Sequence, residues 1–488
     1  MPHNDRNSAR FEGYWWLPRT PEDRIPGYLT ISSEGKASLR LLGGFVSQHA
    51  ATDGGEASKA SGDDAFGAIY GITVDGEVIT LVDPICTHTN SHLFDEKVRS
   101  QSYEPARVLV GLHLEHAHEK VFTSATFMLE NFHAWAGLWE VSYTLNVGDN
   151  SYRTATVHQK PVTTVPISDG MRLVVTNRLG LFSTDLTTSA AETACTTATY
   201  MTVESDEPLR HNGFDEAINA VADLVTFATG EPSAITEYTI THQTPERRRR
   251  PILDDERRIR TEEYDRTVVA TVRAPWSTTS RAPGTPTKET HKYLFTGTDV
   301  AIDDCITRWF ELRTTARRGI DMLLSLTYGD RTFLQTEVLI LAAAAEALHR
   351  SIAPVTLRML PADFARIMTT AMKNLEPDEK QILQNAIHNE PTYRERLIDL
   401  AAIPSAPAVD ALVPDVENWA RDLTRIRNGL AHSMASYLAK PEDLDQMFAL
   451  RQQTQLLLQL VVMAELQLSE DRQNEVVRRA GHYIAPAV

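Results

Sequence analysis

The chain has 488 residues, 42% of them hydrophobic and 23% charged, and a formal net charge of −17. That is ordinary globular material for about two or three domains, and the acidic balance excludes a basic scaffold that grips nucleic acid along its length, so any RNA must bind at a local basic patch. No stretch reaches ~18 consecutive apolar residues, MPHNDRNSARFEG lacks the apolar core of a signal peptide, and Cys86, Cys195 and Cys305 lie too far apart in the chain to suggest a disulfide framework or a zinc ribbon. These features predict a cytoplasmic protein with no membrane association.

The first 200 or so residues read mostly as strands. GYLTI, SLRLLGGF, AIYGITVDGEVITLVD, RVLVGLHL, TFMLENF and LWEVSYTLNV are alternating or rich in β-branched residues, with DG and GD turns between them. They predict a β-rich body, sandwich-like or barrel-like. At FDEAINAVADLVTFATG the period becomes helical, with Phe214, Ile218, Val221, Leu224, Val225 and Phe227 on one stripe and a stop at Gly230. This helix, near residues 214–230, closes the β domain. From Thr241 to Thr290 the stretches THQTPERRRRPILDDERRIRTEEYDRT and WSTTSRAPGTPTKET predict surface loops around one VVATVR strand. The run Arg247 to Arg250 could touch phosphates, or it could be a solvated face balanced by the acidic residues that follow.

Beyond Val300 the chain becomes helical. AIDDCITRWFELRTTARRGIDMLLSLTY is one long amphipathic helix, and RTFLQTEVLILAAAAEALHRSI is apolar nearly all round, which predicts a central position. PADFARIMTTAMKN, EPDEKQILQNAIHN and TYRERLIDLAA are shorter helices, the first two with prolines near their starts, and VPDVENWARDLTRIRN follows. In the last long helix Met447, Leu450, Leu457 and Val461 fall near a 3.5-residue repeat suited to packing along another helix. The predicted fold class is α+β and multidomain: a β-rich domain over 1–295, then an all-α bundle over 296–488.

RIRNGLAHSMA places Arg427 and His432 five residues apart. On a regular helix they would point about 140° from each other. Gly429 disfavours the helix by ~1 kcal/mol relative to alanine and permits a left-handed turn. If the helix ends there, His432 can swing back toward Arg427, within one chain or across a two-fold dimer, and Asn428 adds an amide for a phosphate oxygen or for the imidazole tautomer. A guanidinium and an imidazole without acidic metal ligands suit internal cleavage of RNA. The ribose 2′-OH attacks the adjacent phosphorus, the imidazole moves a proton, worth ~10² to 10⁴ in rate, and the fixed cation stabilises the phosphorane oxygens, worth on the order of 10² to 10³. No metal or other cofactor is called for. Alternatively, the motif is a structural helix stop whose imidazole caps carbonyls.

RNGLAH resembles the Arg-x4-His motif of HEPN domains, including the polar residue after the arginine. TYGDRTFLQTEVLILAAAAEALHR and YRERLIDL are similar to segments of ApeA-type HEPN proteins, and FEGYWWLP, IPGYLTI, LRLLGGF and VLVGLH resemble the ApeA N-terminal domain. The resemblance implies an endoribonuclease of bacterial anti-phage defence by abortive infection. Its β-rich N-terminal domain would sense a phage-derived trigger, and its HEPN domain would form a homodimer, or a higher homo-oligomer, with the active site where two motifs meet. Arg427 and His432 would be catalytic with Asn428 assisting, and RNA, transfer RNA first, would be the substrate. The alternative is a non-catalytic HEPN module that only dimerises and binds a partner.

Glu346 emerges from an apolar surface formed by Leu339, Ala342 and Ala343, where a lone carboxylate is expensive and pairing with an arginine is the usual remedy. It either orients Arg427 or His432, or lies on a thin solvent edge beside His349, with Arg350 one turn along. Arg421 and Arg425 share a helix face and, with Arg350, are candidates for RNA phosphate. Asp422 and Glu417 could instead neutralise Arg421 and Arg425. In the β domain, Cys86, His88 and His92, or His113, His116 and His118, could hold zinc or be surface histidines in hairpins. Tyr14, Trp15, Trp16, Trp135 and Trp139 form a ligand platform or fill a core. Neither a phosphate-binding GxxxxGKS/T loop nor an HExxH metal motif is present.

Overall fold

The computed structural model describes residues 9–32, 35–45, 67–90, 100–146, 152–159, 162–168, 170–186, 191–253, 259–273, 288–329, 332–353, 357–431 and 441–481. The chain divides into two compact units, Met1–Val225 with Pro232–Glu289, and Thr226–Glu231 with Thr290–Val488. The first is β-rich and the second helical.

In the first unit, β1 (Ala9–Trp16), β2 (Ile25–Ile31), β3 (Ala37–Leu41), β4 (Ala68–Thr73), β5 (Val78–Asn90) and β6 (Ser100–Val110) run in the order β6-β3-β2-β1-β4-β5, and β5 pairs back onto β6. The six strands therefore close a barrel, which removes the exposed edges of an open sheet. Strand alternation sends Trp15, Leu29, Ile31, Leu39, Leu41, Ile69, Ile79, Leu81, Tyr103 and Val108 into its core. Gly71 on β4 makes room for the Trp15 ring, because a Cβ there would collide with it. Strand β6 ends at Val110, and the next residue, Gly111, takes φ +113, where an added Cβ would be strained and would meet the Val269 carbonyl oxygen at 3.0 Å. His113 and His116 thus lie beyond the end of the strand.

β7 (Phe122–Leu129), β10 (Thr163–Ser168), β11 (Met171–Leu186), β12 (Ala191–Leu209), β13 (Ile235–Leu253) and β14 (Ile259–Arg273) extend the sheet in the order β10-β11-β12-β7-β13-β14, joined to the barrel through β14 and β6. A short helix α1 (Phe132–Ala136) and the hairpin β8 (Trp139–Asn146) with β9 (Tyr152–Gln159) complete these elements. The β13–β14 ribbon corrects the expectation of loops around one strand over 241–253 and 259–273, while 254–258 and 274–287, which hold most of WSTTSRAPGTPTKET, lie outside the described residues. A register shift between Gln243 and Arg247 absorbs Pro245, and the register sets Arg247 opposite Asp265, Arg249 opposite Glu263 and Arg250 opposite Glu262. Charge and proline argue for a loop when the segment is read alone; a partner strand with the complementary sequence makes it a ribbon. Helix α2 (Asp215–Thr229) forms as expected, and every member of its predicted stripe is buried. Its first residue, Asp215, accepts hydrogen bonds from Arg107 Nη1 at 3.2 Å and the Tyr238 hydroxyl at 3.2 Å, which ties the helix to β6 and β13.

The helical unit contains α3 (Ile302–Tyr328), α4 (Leu334–Ile352), α5 (Pro361–Ala371), α6 (Pro377–Ala386), α7 (Tyr393–Ala401), α8 (Ala406–Leu412), α9 (Val416–Ala431), α10 (Pro441–Glu465) and α11 (Glu470–Ala480). As its apolar circumference predicts, α4 is central: it packs against α3, α7, α9 and α10 and buries Val338, Leu341, Ala342, Ala344, Ala345 and Leu348. Trp419 on α9 donates its indole N–H to Thr454 Oγ1 on α10 at 3.1 Å, a buried bond that fixes the two helices in register. Met447, Leu450, Leu457 and Val461 are all buried, in keeping with the 3.5-residue pattern. Helix α9 does not stop at Gly429 but runs through it to Ala431. The modest propensity cost of one glycine is outweighed by burial of Trp419, Ala420, Leu423 and Ile426 along the same face. Among the described residues no helix is long and apolar enough to cross a membrane.

Candidate active site

Three helices of the helical unit, α4, α7 and α9, pack together and bring residues from distant parts of the chain into one polar cluster. Arg427, in the last turns of α9, sends Nη2 to Glu346 Oε2 on α4 at 3.1 Å, across 81 residues of sequence. The side chains of Arg427 and Glu346 are 38% and 29% exposed, so the pair is partly buried. The other carboxylate oxygen, Oε1, accepts from Arg350 Nη2 at 3.2 Å. Asn428 is exposed, and its Oδ1 is 3.5 Å from Arg427 Nη1. His432 lies outside the described residues.

The cluster continues away from Arg427. Arg350 Nη1 reaches Glu390 Oε2 at 3.3 Å, and the same oxygen accepts from Arg396 Nη2 at 2.8 Å. Arg396, buried at the start of α7, donates Nη1 to His349 Nδ1 at 3.2 Å, and His349 Nε2 lies 3.1 Å from Asp399 Oδ2. An arginine can only donate, so Nδ1 must be the acceptor and the His349 proton sits on Nε2, facing the carboxylate. His349 thus turns to Arg396 and Asp399, while Glu346, 29% exposed, turns to Arg427 and Arg350.

Sequence reasoning missed Tyr393. The Arg427 guanidinium carbon lies 4.6 Å from the centroid of the Tyr393 ring, and the Tyr393 hydroxyl donates to the Ala342 carbonyl at 3.0 Å. Burial pushes its hydroxyl well above the usual phenol range, with Arg427 opposing and Glu346 adding to the shift, so the ring is a neutral phenol at every working pH. A signal did exist in the sequence: Thr392 and Glu395 have the spacing of a capping box, and they form one, with the Thr392 amide donating to Glu395 Oε2 at 2.6 Å. That box starts α7 and makes Tyr393 its first residue.

Arg421 and Arg425 stay on the exposed side of α9. Arg421 bonds the Asn418 side chain, and Arg425 lies 3.4 Å from Asp422, while Glu417 takes Arg394. Of the three arginines singled out for phosphate, Arg350 alone joins the Glu346 cluster directly. In the β-rich unit Cys86 and His88 are exposed on β5, and His92 lies outside the described residues. His113 Nε2 bonds the Gly71 carbonyl at 2.9 Å and its ring stacks on Tyr70, while His118 lies 3.3 Å from Asp83. No group of three or more His, Cys, Asp or Glu among the described residues could hold a metal ion. Trp15, Trp16 and Trp135 are buried, Tyr14 is exposed, and the Trp139 side chain is outside those described.

The family model for ApeA N-terminal domain 1 matches residues 10–309, and that for the Apea-like HEPN domain matches residues 339–472. The chain belongs to the ApeA family. The HEPN match begins within α4 and spans Glu346, Tyr393, Arg427, Asn428 and His432, so the polar cluster falls inside the HEPN part of this ApeA-family protein. HEPN domains are generally ribonucleases, and they commonly dimerise and bind RNA. No curated protein and no solved structure matches the chain.

Proposed function

We propose that the chain is a metal-independent endoribonuclease of an anti-phage abortive-infection system, with residues 1–295 as sensor and 296–488 as nuclease. The observation that carries this reading is the partly exposed Arg427 guanidinium, held by Glu346 at 3.1 Å beside the motif's asparagine, in a domain of HEPN type. In the reaction the 2′-oxygen attacks the adjacent phosphorus and the P–O5′ bond breaks, leaving a 2′,3′-cyclic phosphate and a 5′-hydroxyl. Arg427 stabilises the charge that grows on the phosphorane oxygens, His432 transfers the proton, and Asn428 and Glu346 orient them. Arg350, Arg421 and Arg425 bind flanking phosphates. Two copies pair through the helical domain in the cytoplasm, a phage-derived trigger, a protein among the candidates, relieves restraint by the sensor, and host transfer RNA is cut.

One observation favours the second reading, a non-catalytic dimerisation module: Arg427 already has a carboxylate partner and needs no phosphate to satisfy it. Incubating the protein with RNA in EDTA, with and without extract of phage-infected cells to supply the trigger, separates the two. Cleavage with 2′,3′-cyclic phosphate ends, lost in Arg427→Ala and in His432→Ala by ~10² to 10⁴, supports the enzyme. Undiminished protection against phage by both variants would eliminate it.

A further inference from the structure

A phosphate-facing arginine is useful only if its plane is fixed before the substrate arrives, since a long side chain that must be ordered during reaction spends rotamer entropy at that moment. Glu346 holds Arg427 at one nitrogen only, which leaves the guanidinium free to tilt about that contact. A second support comes from a different helix. We propose that Tyr393 is a positioning residue that sets the plane of the Arg427 guanidinium for the scissile phosphate; the proposal rests on the ribonuclease reading.

The ring lies against the guanidinium with its centroid 4.6 Å from Cζ, the separation at which a cation is attracted to an aromatic face. Ring and carboxylate are referenced to one turn of α4. The Tyr393 hydroxyl is anchored on the Ala342 carbonyl at 3.0 Å, and Ala342 stands four residues before Glu346, the residue whose amide that carbonyl faces in a regular helix. The other end of the ring is set by the capping box of Thr392 and Glu395, which fixes where α7 begins. Arg427 thus touches a face supplied by α7 and an edge supplied by α4, and the remaining edge is turned toward Asn428. One contact restrains position and the other restrains tilt. Neither Glu346 nor Tyr393 alone does both.

Cleavage of a short RNA in EDTA, with kcat and KM measured separately, tests the assignment. Tyr393→Phe keeps the face and loses the anchor, and should cut within about fivefold of wild type. Tyr393→Leu and Tyr393→Met remove the face and should lower kcat about tenfold or more while KM moves less than about threefold. Two apolar replacements are used so that a leucine variant that melts early does not decide the outcome. In an Arg427→Lys background, which keeps charge but has no planar fork, the Tyr393→Met step should cost less than about twofold, because the plane it controls is gone. An equal loss in both backgrounds means that Tyr393 only holds α7 in place, and overturns the proposal. Wild-type protein that cuts RNA with Tyr393→Leu and Tyr393→Met equally fast overturns the positioning role alone. Wild-type protein that cuts no RNA either alone or with extract of phage-infected cells overturns the ribonuclease reading, and this role falls with it.

Discussion

In a Glu346→Gln variant the side chain keeps its length and loses the charge that holds two arginines, Arg427 on Oε2 at 3.1 Å and Arg350 on Oε1 at 3.2 Å. Folding should hardly register the change. The arginine side chains are 38% and 53% exposed, so solvent screens both pairs, and each contributes about 0.5 kcal/mol. Their joint loss is about 1 kcal/mol, a fall in Tm of roughly 2 to 4 °C for a chain region of this size. Catalysis should register it strongly, because a guanidinium displaced by ~1 Å costs on the order of 10² in rate. We expect single-turnover cleavage of an end-labelled RNA in EDTA to slow by about 30- to 100-fold. A thermal melt run alongside should show a nearly unchanged protein. If Glu346→Gln cuts within twofold of wild type while Arg427→Ala does not, the carboxylate does not orient the arginine. A faster variant would mean that Glu346 masks the cation and that the sign of the reasoning is wrong.

Two further predictions concern the β-rich unit. His211 is buried, neither ring nitrogen has a hydrogen-bond partner among the described residues, and burial first, then Arg107 and His118, lower its pKa from 6.5 to about 4. The unfolded chain therefore takes up the proton before the folded one, so this contribution to stability is intact above pH 6.5 and is lost as the pH falls toward 4, by up to roughly 3 kcal/mol. Urea midpoints across that range should decline and His211→Leu should flatten the decline; an equally steep fall in the variant would assign the effect to other groups. Gly71→Ala drives a methyl into the Trp15 ring at the centre of the barrel and should cost about 1 to 3 kcal/mol, read by Trp fluorescence during denaturation. An unchanged midpoint would show that the barrel yields there.

Much of the organisation was legible in the sequence. Period-2 alternation followed by 3.6-residue stripes announced a β-rich part and then a helical part, because each period reports which face of an element must leave water. The same logic identified α4 as central, the buried stripe of α2 and the packing face of α10. Arg427, Asn428 and Glu346 could be named as candidates, with a cation partner and a solvent edge both open for Glu346 until the structure set it 3.1 Å from Arg427. A stripe does not say which partner covers it, however. That Arg427 meets Glu346 and not some other carboxylate, that Tyr393 lies under its guanidinium, and that His349 turns instead to Arg396 and Asp399 all follow from how α4, α7 and α9 cross. Likewise the charged stretch after Thr241 is a strand only because β14 lies beside it with complementary register. Local periodicity encodes burial along one element, whereas the pairing of side chains from separate elements is decided by packing.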